Sequence, residues 1–164
     1  VIDSPASEAD FAALREAIAL SAEARTGGFH PFGAMVLHVD GRVLARAGNG
    51  SAAGQDPTAH AETLAVRLAA AAHGSAALAG GMLVSSAEPC AMCAGAAYWA
   101  GLSRVVYGLS EKRLRTMTGD HPENPTLDLP CRDVFARGLR RVAVLGPLLE
   151  DEAAAVHAGF WSRD

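Results

Sequence analysis

Asp40-Gly41 stands between two strand-like runs, AMVLHV at 34–39 and RVLARA at 42–47. Asp-Gly accepts the left-handed backbone of a two-residue turn, so the two runs read as an antiparallel hairpin. That hairpin constrains the rest of the chain. Each later strand-like run is reached through a segment with helical character, and strands joined in that way lie parallel. A chain that opens with a hairpin and continues through helical crossovers builds a mixed sheet.

Ser7 precedes Glu8 and Asp10 and reads as the N-cap of a first helix with acids in its first turn. Phe11, Leu14, Ile18 and Ala22 recur at helical spacing, and Gly27-Gly28 ends the helix. After the hairpin, residues 60–73 are a helix rich in alanine and leucine, and Gly80-Gly81 lead into a short strand at 82–85. Pro89 suits the first position of a helix over 89–100 that Gly101 closes. Residues 104–109 are β-branched and aromatic and read as a strand, followed by a short helix at 110–117. Residues 118–130 carry three prolines and no periodicity, the mark of a long functional loop. A helix at 131–138, a strand at 141–146 and a last helix at 148–160 complete the chain.

The expected fold is α/β: a three-layer α/β/α sandwich on a five-stranded mixed sheet, antiparallel in its first hairpin and parallel thereafter, with right-handed crossovers. The 164 residues fit a single domain, 1–164. Half of them are hydrophobic but only 5% aromatic, so alanine, valine and leucine must do most of the packing. The net charge of −4 argues against a nucleic-acid partner. Three cysteines without a spacing framework argue against a disulfide scaffold. The sequence VIDSPASEAD lacks the basic and apolar regions of a signal peptide, and no run is long enough to span a membrane. These features lead us to expect a soluble, cytoplasmic protein with reduced thiols.

Cys90 and Cys93, in SAEPCAMC, fit three chemistries when read alone: a redox pair, half of a structural zinc knuckle, or part of a catalytic metal site. A second C-x-x-C is absent. Cys131 stands alone after Leu129-Pro130 and reads as a buried helix-start cysteine, with a role as a further sulfur ligand as the alternative. Of six histidines, His38, His73 and His157 read as surface or core residues, whereas His30 and His121 lie in loops that could line a pocket. His60 differs because it opens a helix as His60-Ala61-Glu62. Residues two apart on a helix point nearly opposite ways. His60 and Glu62 therefore share a site only if His60 lies at the non-helical entrance.

His-x-Glu alone is a weak signal. Followed about 30 residues later by Pro89-Cys90-Ala91-Met92-Cys93, it forms the zinc deaminase signature. His60, Cys90 and Cys93 would hold Zn2+ and leave one position open, as catalytic zinc requires. Glu62, beside the metal, would move protons. A structural zinc module, completed by Cys131 or a carboxylate, is the non-enzymatic alternative.

The chain thus resembles the cytidine deaminase superfamily, in the branch of cytosine, bacterial guanine and tRNA adenosine deaminases. The resemblance rests on Pro31-Phe32-Gly33-Ala34, Asn49, the segment 56–62 and Glu88-Pro89-Cys90-Ala91-Met92-Cys93. It implies a cytidine deaminase-like sandwich with parallel last strands, His60, Cys90 and Cys93 as zinc ligands, and Glu62 as the proton shuttle. It further implies Asn49 as a substrate hydrogen-bonding residue, backbone N–H donors at Ala61 and Cys90, and Phe32 in the base pocket. The run 91–100 is similar to that of guanine deaminases; its Tyr98 and Trp99 either pack the helix or line a dimer or pocket wall. Asp120 falls near the acidic substrate contact of guanine deaminases. Two features depart from that pattern: the segment 27–32 is two residues longer, and the loop 118–130 differs.

The resemblance therefore implies hydrolytic deamination of a free base or nucleoside, guanine-type first and cytosine or a nucleoside second. tRNA adenosine is the macromolecular rival, disfavoured by the acidic balance. A homodimer is expected, with Phe160-Trp161 either a lid over the pocket or the docking of the last helix.

Overall fold

The computed structural model describes residues 5–50, 56–119 and 121–162. Helix α1, Glu8–Thr26, begins as expected: Ser7 accepts from the Asp10 N–H, and Asp10 accepts from the Ser7 N–H at 2.8 Å. The same Asp10 carboxylate pairs with Arg104 Nη2 at 2.8 Å, which ties the start of α1 to the start of a later strand. The hairpin forms from β1, Gly33–Leu37, and β2, Val43–Gly48, with Gly41 at φ +90° in its turn. Val39 lies in that turn rather than in the strand and is exposed.

The remaining elements are α2 (Ala61–His73), β3 (Met82–Ala87), α3 (Ala91–Trp99), β4 (Arg104–Leu109), α4 (Glu111–Thr118), α5 (Cys131–Ala136), β5 (Ala143–Leu145) and α6 (Glu150–His157). A 3-10 turn at Ser75–Leu78, which the sequence pattern did not suggest, joins α2 to β3. One element is corrected: Pro89 is not the first residue of α3. Cys90 is the N-cap, with φ −62° and ψ 170°, so the proline sits one residue further out and rigidifies the approach. Among the described residues, no helix is long and apolar enough to cross a membrane.

The sheet order is β2-β1-β3-β4-β5. The β1–β2 hairpin is antiparallel and β3, β4 and β5 pair parallel, as expected; β1 also pairs antiparallel with β3, a pairing the sequence pattern did not specify. Two antiparallel steps leave β2 pointing the same way as β3. The helices that follow β2 and β3 therefore start at the same edge of the sheet, which is the edge that carries the site.

Side chains alternate across the sheet in register. Val36, Leu83, Val105 and Val144 form one row, packed among Ala61, Ala65 and Ala69 of α2, Ala94 and Ala97 of α3, and Phe135 of α5. Met35, Val84, Val106 and Leu145 form the row on the other face, against Leu14, Ala17 and Ile18 of α1 and Ala153 and Ala154 of α6. These are the three layers that the sequence pattern implies. The helices present alanines to the sheet, which brings their backbones close.

Gly33 marks the tightest approach. A Cβ there would lie 2.5 Å from both the Ala17 carbonyl oxygen and the Ser21 nitrogen of α1, backbone atoms that cannot swing aside. Gly33→Ala is expected to destabilise the fold by about 1–3 kcal/mol, the usual cost of overpacking. Urea unfolding checks it; an unchanged midpoint would show that α1 moves off the sheet at no cost.

Candidate zinc and substrate site

Two helix entrances meet at the site edge. His60 is the N-cap of α2, with extended backbone (φ −66°, ψ 151°) and no capping bond from its side chain. Its imidazole is thereby turned out of the helix, as the His-x-Glu spacing requires. An Asx turn sets this entrance: Asp56 Oδ1 accepts from the Thr58 N–H at 2.9 Å, and the His60 N–H donates to the Thr58 carbonyl at 2.8 Å. Cys90 caps α3 in the same manner, also without a side-chain cap bond. Cys93 lies in the first turn of α3, and Glu62 in the first turn of α2. Helix N-termini favour negative charge, which suits thiolates and a carboxylate.

The donor atoms form a nearly equilateral triangle. His60 Nδ1 is 3.6 Å from Cys90 Sγ and 3.5 Å from Cys93 Sγ, and the two sulfurs are 3.5 Å apart. Tetrahedral zinc, at about 2.3 Å from sulfur and 2.0–2.1 Å from nitrogen, needs N···S edges of about 3.6 Å and an S···S edge of about 3.8 Å. The donor set and its dimensions fit zinc. Cys131 is not part of it: this buried thiol starts α5, and burial pushes its pKa up. The contact with Cys93 and then that with His60 pull Cys90 down to about 4, while the Cys90 contact and burial push Cys93 up. The Cys90 hydrogen bond raises the His60 pKa.

Glu62 is buried; its Oε1 accepts from the Ser85 hydroxyl at 3.0 Å, and its Oε2 lies 3.5 Å from Cys93 Sγ. Burial, followed by the neighbouring Cys90, raises its pKa. A cavity of about 790 Å³ opens in front of His60, Glu62 and Cys90. Phe32, Asn49 and His30, all expected near a substrate, line it. Asn49 is buried, and its N–H is fixed to the Phe32 carbonyl at 2.9 Å. His30 Nε2 pairs with Glu123 Oε2 at 2.9 Å, linking the glycine-rich loop to the long loop. Ala61 is fully buried at the first position of α2, where a backbone N–H has no intrahelical acceptor.

Trp99 is a correction. It lies on the outside of α3, 85% exposed, and does not line the cavity. Six residues beyond Cys93, it points away from the face that carries the sulfur. Tyr98 packs elsewhere, its hydroxyl accepting from the Leu139 N–H at 3.0 Å and its ring lying under the Arg140 guanidinium. Asp120 falls outside the described residues.

Two carboxylates of the site were missed. Glu88 accepts from the Cys131 N–H at 3.1 Å and the Glu111 N–H at 3.0 Å, so one side chain fastens the starts of α5 and α4 to the end of β3. Its position before Pro-Cys-x-x-Cys was the available signal. Glu111 lines the cavity, and burial, followed by Glu88, Cys90 and Glu62, pushes its pKa up to about 7. The local sequence SEKRL offers no hint beyond a helix start.

The C-terminal segment forms part of the cavity wall. Phe160 lines the cavity, and the buried Trp161 ring lies 5.3 Å from His30 and 5.4 Å from His121. Trp161 Nε1 donates to Nδ1 of the buried His157 at 3.1 Å. His157 is thus a satisfied core histidine, as expected, and burial, with Arg25 nearby, lowers its pKa to about 4.

Residues 7–109 match the family described as the cytidine and deoxycytidylate deaminase zinc-binding region. A probable cytosine deaminase of Schizosaccharomyces pombe is 43% identical over 155 residues, 94% of each chain. A tRNA-specific adenosine deaminase of Agrobacterium fabrum is 44% identical over 94 residues, 56% of this chain and 61% of that one. Among solved structures, a guanine deaminase from Nitrosomonas europaea superposes with a TM-score of 0.75 at 30% identity, over 94% of this chain and 85% of that one. The metal triangle and these matches agree: the chain belongs to the cytidine and deoxycytidylate deaminase family and is a zinc-type deaminase.

Proposed function

We propose that this enzyme hydrolytically deaminates a free nucleobase, with a cytosine-type base first and a guanine-type base second. Zinc, when bound, supplies a Lewis acid that makes water reactive at neutral pH. Glu62 takes a proton from the attacking water and delivers it to the ring nitrogen beside the amine-bearing carbon. A second proton transfer through Glu62 goes to the departing amine, so water and the aminated ring give the carbonyl product and ammonia. Ser85, donating to Oε1, holds the carboxylate in orientation and leaves Oε2 to the proton. Asn49, anchored through its N–H, offers its amide to the polar edge of the base, and Phe32 supplies an apolar wall.

The observation that carries the free-base reading is the C-terminal segment, where Phe160 forms cavity wall and Trp161 is buried behind it in the same chain. A pocket walled in part by its own C-terminal segment, in an acidic chain, suits a small molecule rather than a polymer. The order of bases differs from that drawn from the sequence for two reasons. Tyr98 and Trp99, the aromatic pair of the guanine-like run, do not line the cavity and so give no ground for preferring guanine. A relative matched over 94% of both chains, at 43% identity, is named for cytosine.

Ammonia release from cytosine, guanine, adenine, their nucleosides and tRNA, measured on zinc-loaded enzyme, tests this reading. Cytosine is expected to give the highest kcat/KM; guanine in that place would reverse the order, and salt-sensitive turnover of tRNA would overturn the reading. Glu62→Gln is expected to keep one zinc per chain and lose activity by roughly 10²–10⁴-fold, the usual contribution of a positioned acid–base group. Turnover unaltered in that variant would remove Glu62 from the mechanism.

Docking of the C-terminal segment is expected to depend on pH, with the sign set by His157. Its folded pKa lies below the unfolded value of about 6.5. The unfolded chain therefore binds more protons between the two values. The stabilisation from neutral His157 is complete above about pH 6.5 and is lost as pH falls toward about 4, by about 2 kcal/mol at pH 5. Thermal melts at pH 7.5 and 5 should show His157→Gln losing less on acidification than the parent chain; equal losses would show that His157 does not titrate on unfolding.

A further inference from the structure

Four glutamates line the cavity among the described residues: Glu62, Glu88, Glu111 and Glu123. Three are engaged. Glu62 accepts from Ser85, Glu88 from two backbone N–H groups, and Glu123 pairs with His30. No hydrogen bond or ion pair of the Glu111 carboxylate is found among the described residues, although its backbone is firmly held. The Glu111 N–H donates to Glu88 Oε2 at 3.0 Å, and Ser110 caps the helix that Glu111 begins by accepting from the Arg113 N–H at 3.2 Å. A half-buried carboxylate beside other anions, with its oxygens on a cavity wall and no protein donor on them among the described residues, is placed to accept from a ligand that enters the cavity.

Placement sharpens the role. Glu62 comes from α2, whose alanines pack on one face of the sheet, whereas α4 packs Leu114 into the cluster on the other face. The two carboxylates therefore enter the cavity from opposite layers and can address different edges of one flat ring. Glu62 serves the edge that loses ammonia. An acceptor that remains on another edge matches a ring N–H.

We propose that Glu111 is a substrate-binding residue that accepts the ring N–H of a free base at the nitrogen where a nucleoside carries its sugar. In cytosine that is N1, and in guanine N9. A nucleoside has no hydrogen there and would press its sugar against an anion, so Glu111 makes the site select bases over nucleosides. The inference rests on the free-base reading above and adds to it the residue that enforces it.

The test is Glu111→Gln in the zinc-loaded enzyme, a substitution of equal shape at a side chain that holds no other element in place. Melting temperature and zinc content are expected to match the parent. KM for cytosine is expected to rise roughly 10- to 100-fold, the effect of losing a hydrogen bond to a charged group, with kcat changed far less. The ratio of kcat/KM for cytosine to that for cytidine should fall by a similar factor. Cytosine affinity, measured by calorimetry in Glu62→Gln chains with and without E111Q, should weaken in parallel. A parent enzyme that prefers cytosine, beside an E111Q enzyme with unchanged KM and ratio, overturns this inference alone. A parent enzyme that prefers the nucleoside removes the free-base reading and this inference together.

Discussion

The site depends on two helices starting side by side at one edge of the sheet. His60 and Cys90 are both N-caps with extended backbone, and neither spends its side chain on a cap bond. Each therefore directs its donor atom away from its own helix toward the other. This juxtaposition follows from topology: β1 lies antiparallel between β2 and β3, so the two strands that deliver these helices point the same way. If β3 had joined the sheet in the opposite sense, α3 would begin at the far edge and the triangle could not close.

Close packing makes the convergence precise enough to bind a metal. α2 and α3 rest on the sheet through Ala61, Ala65, Ala69, Ala94 and Ala97. α1 reaches the other face at Gly33, where no side chain fits. Gly108 has the same part in β4, since a Cβ there would lie 2.6 Å from the Ser86 carbonyl oxygen, beside the strand end that leads to Glu88. A chain so poor in aromatic residues has short spacers between its layers. Side-chain volume is replaced by backbone proximity, and small displacements are resisted by backbone atoms rather than by rotatable groups.

What could be read from the sequence was local or periodic. The metal donors and Glu62 were legible because helix geometry forbids His60 and Glu62 from sharing a face unless His60 stands at the entrance. The sheet was legible from the Asp40-Gly41 turn and the helices between later strands. The rest depended on tertiary placement. Trp99 looked informative by its neighbours in sequence, but its direction is set by helix phase beyond Cys93. Pro89 fitted a first helical position, yet Cys90 needs extended backbone to turn its sulfur outward, which moves the helix start inward. Glu111 sits in an ordinary capped helix start and becomes part of the cavity only because Glu88 pins that start over the end of β3.

Glu88 shows how the wall and the metal site are joined. It precedes the Pro-Cys pair in the chain, and its two oxygens hold the first N–H groups of α4 and α5. The segment that presents Cys90 is thereby linked to the helix carrying Glu111 and to the end of the long loop. The opposite wall is held differently. Phe160 lines the cavity beside Trp161, which is anchored on His157. This part of the wall is therefore held by core packing, whereas the opposite wall is held by polar contacts to backbone N–H groups. An enzyme built this way can change the ring it accepts through the residues that line the cavity without disturbing the triangle that activates water.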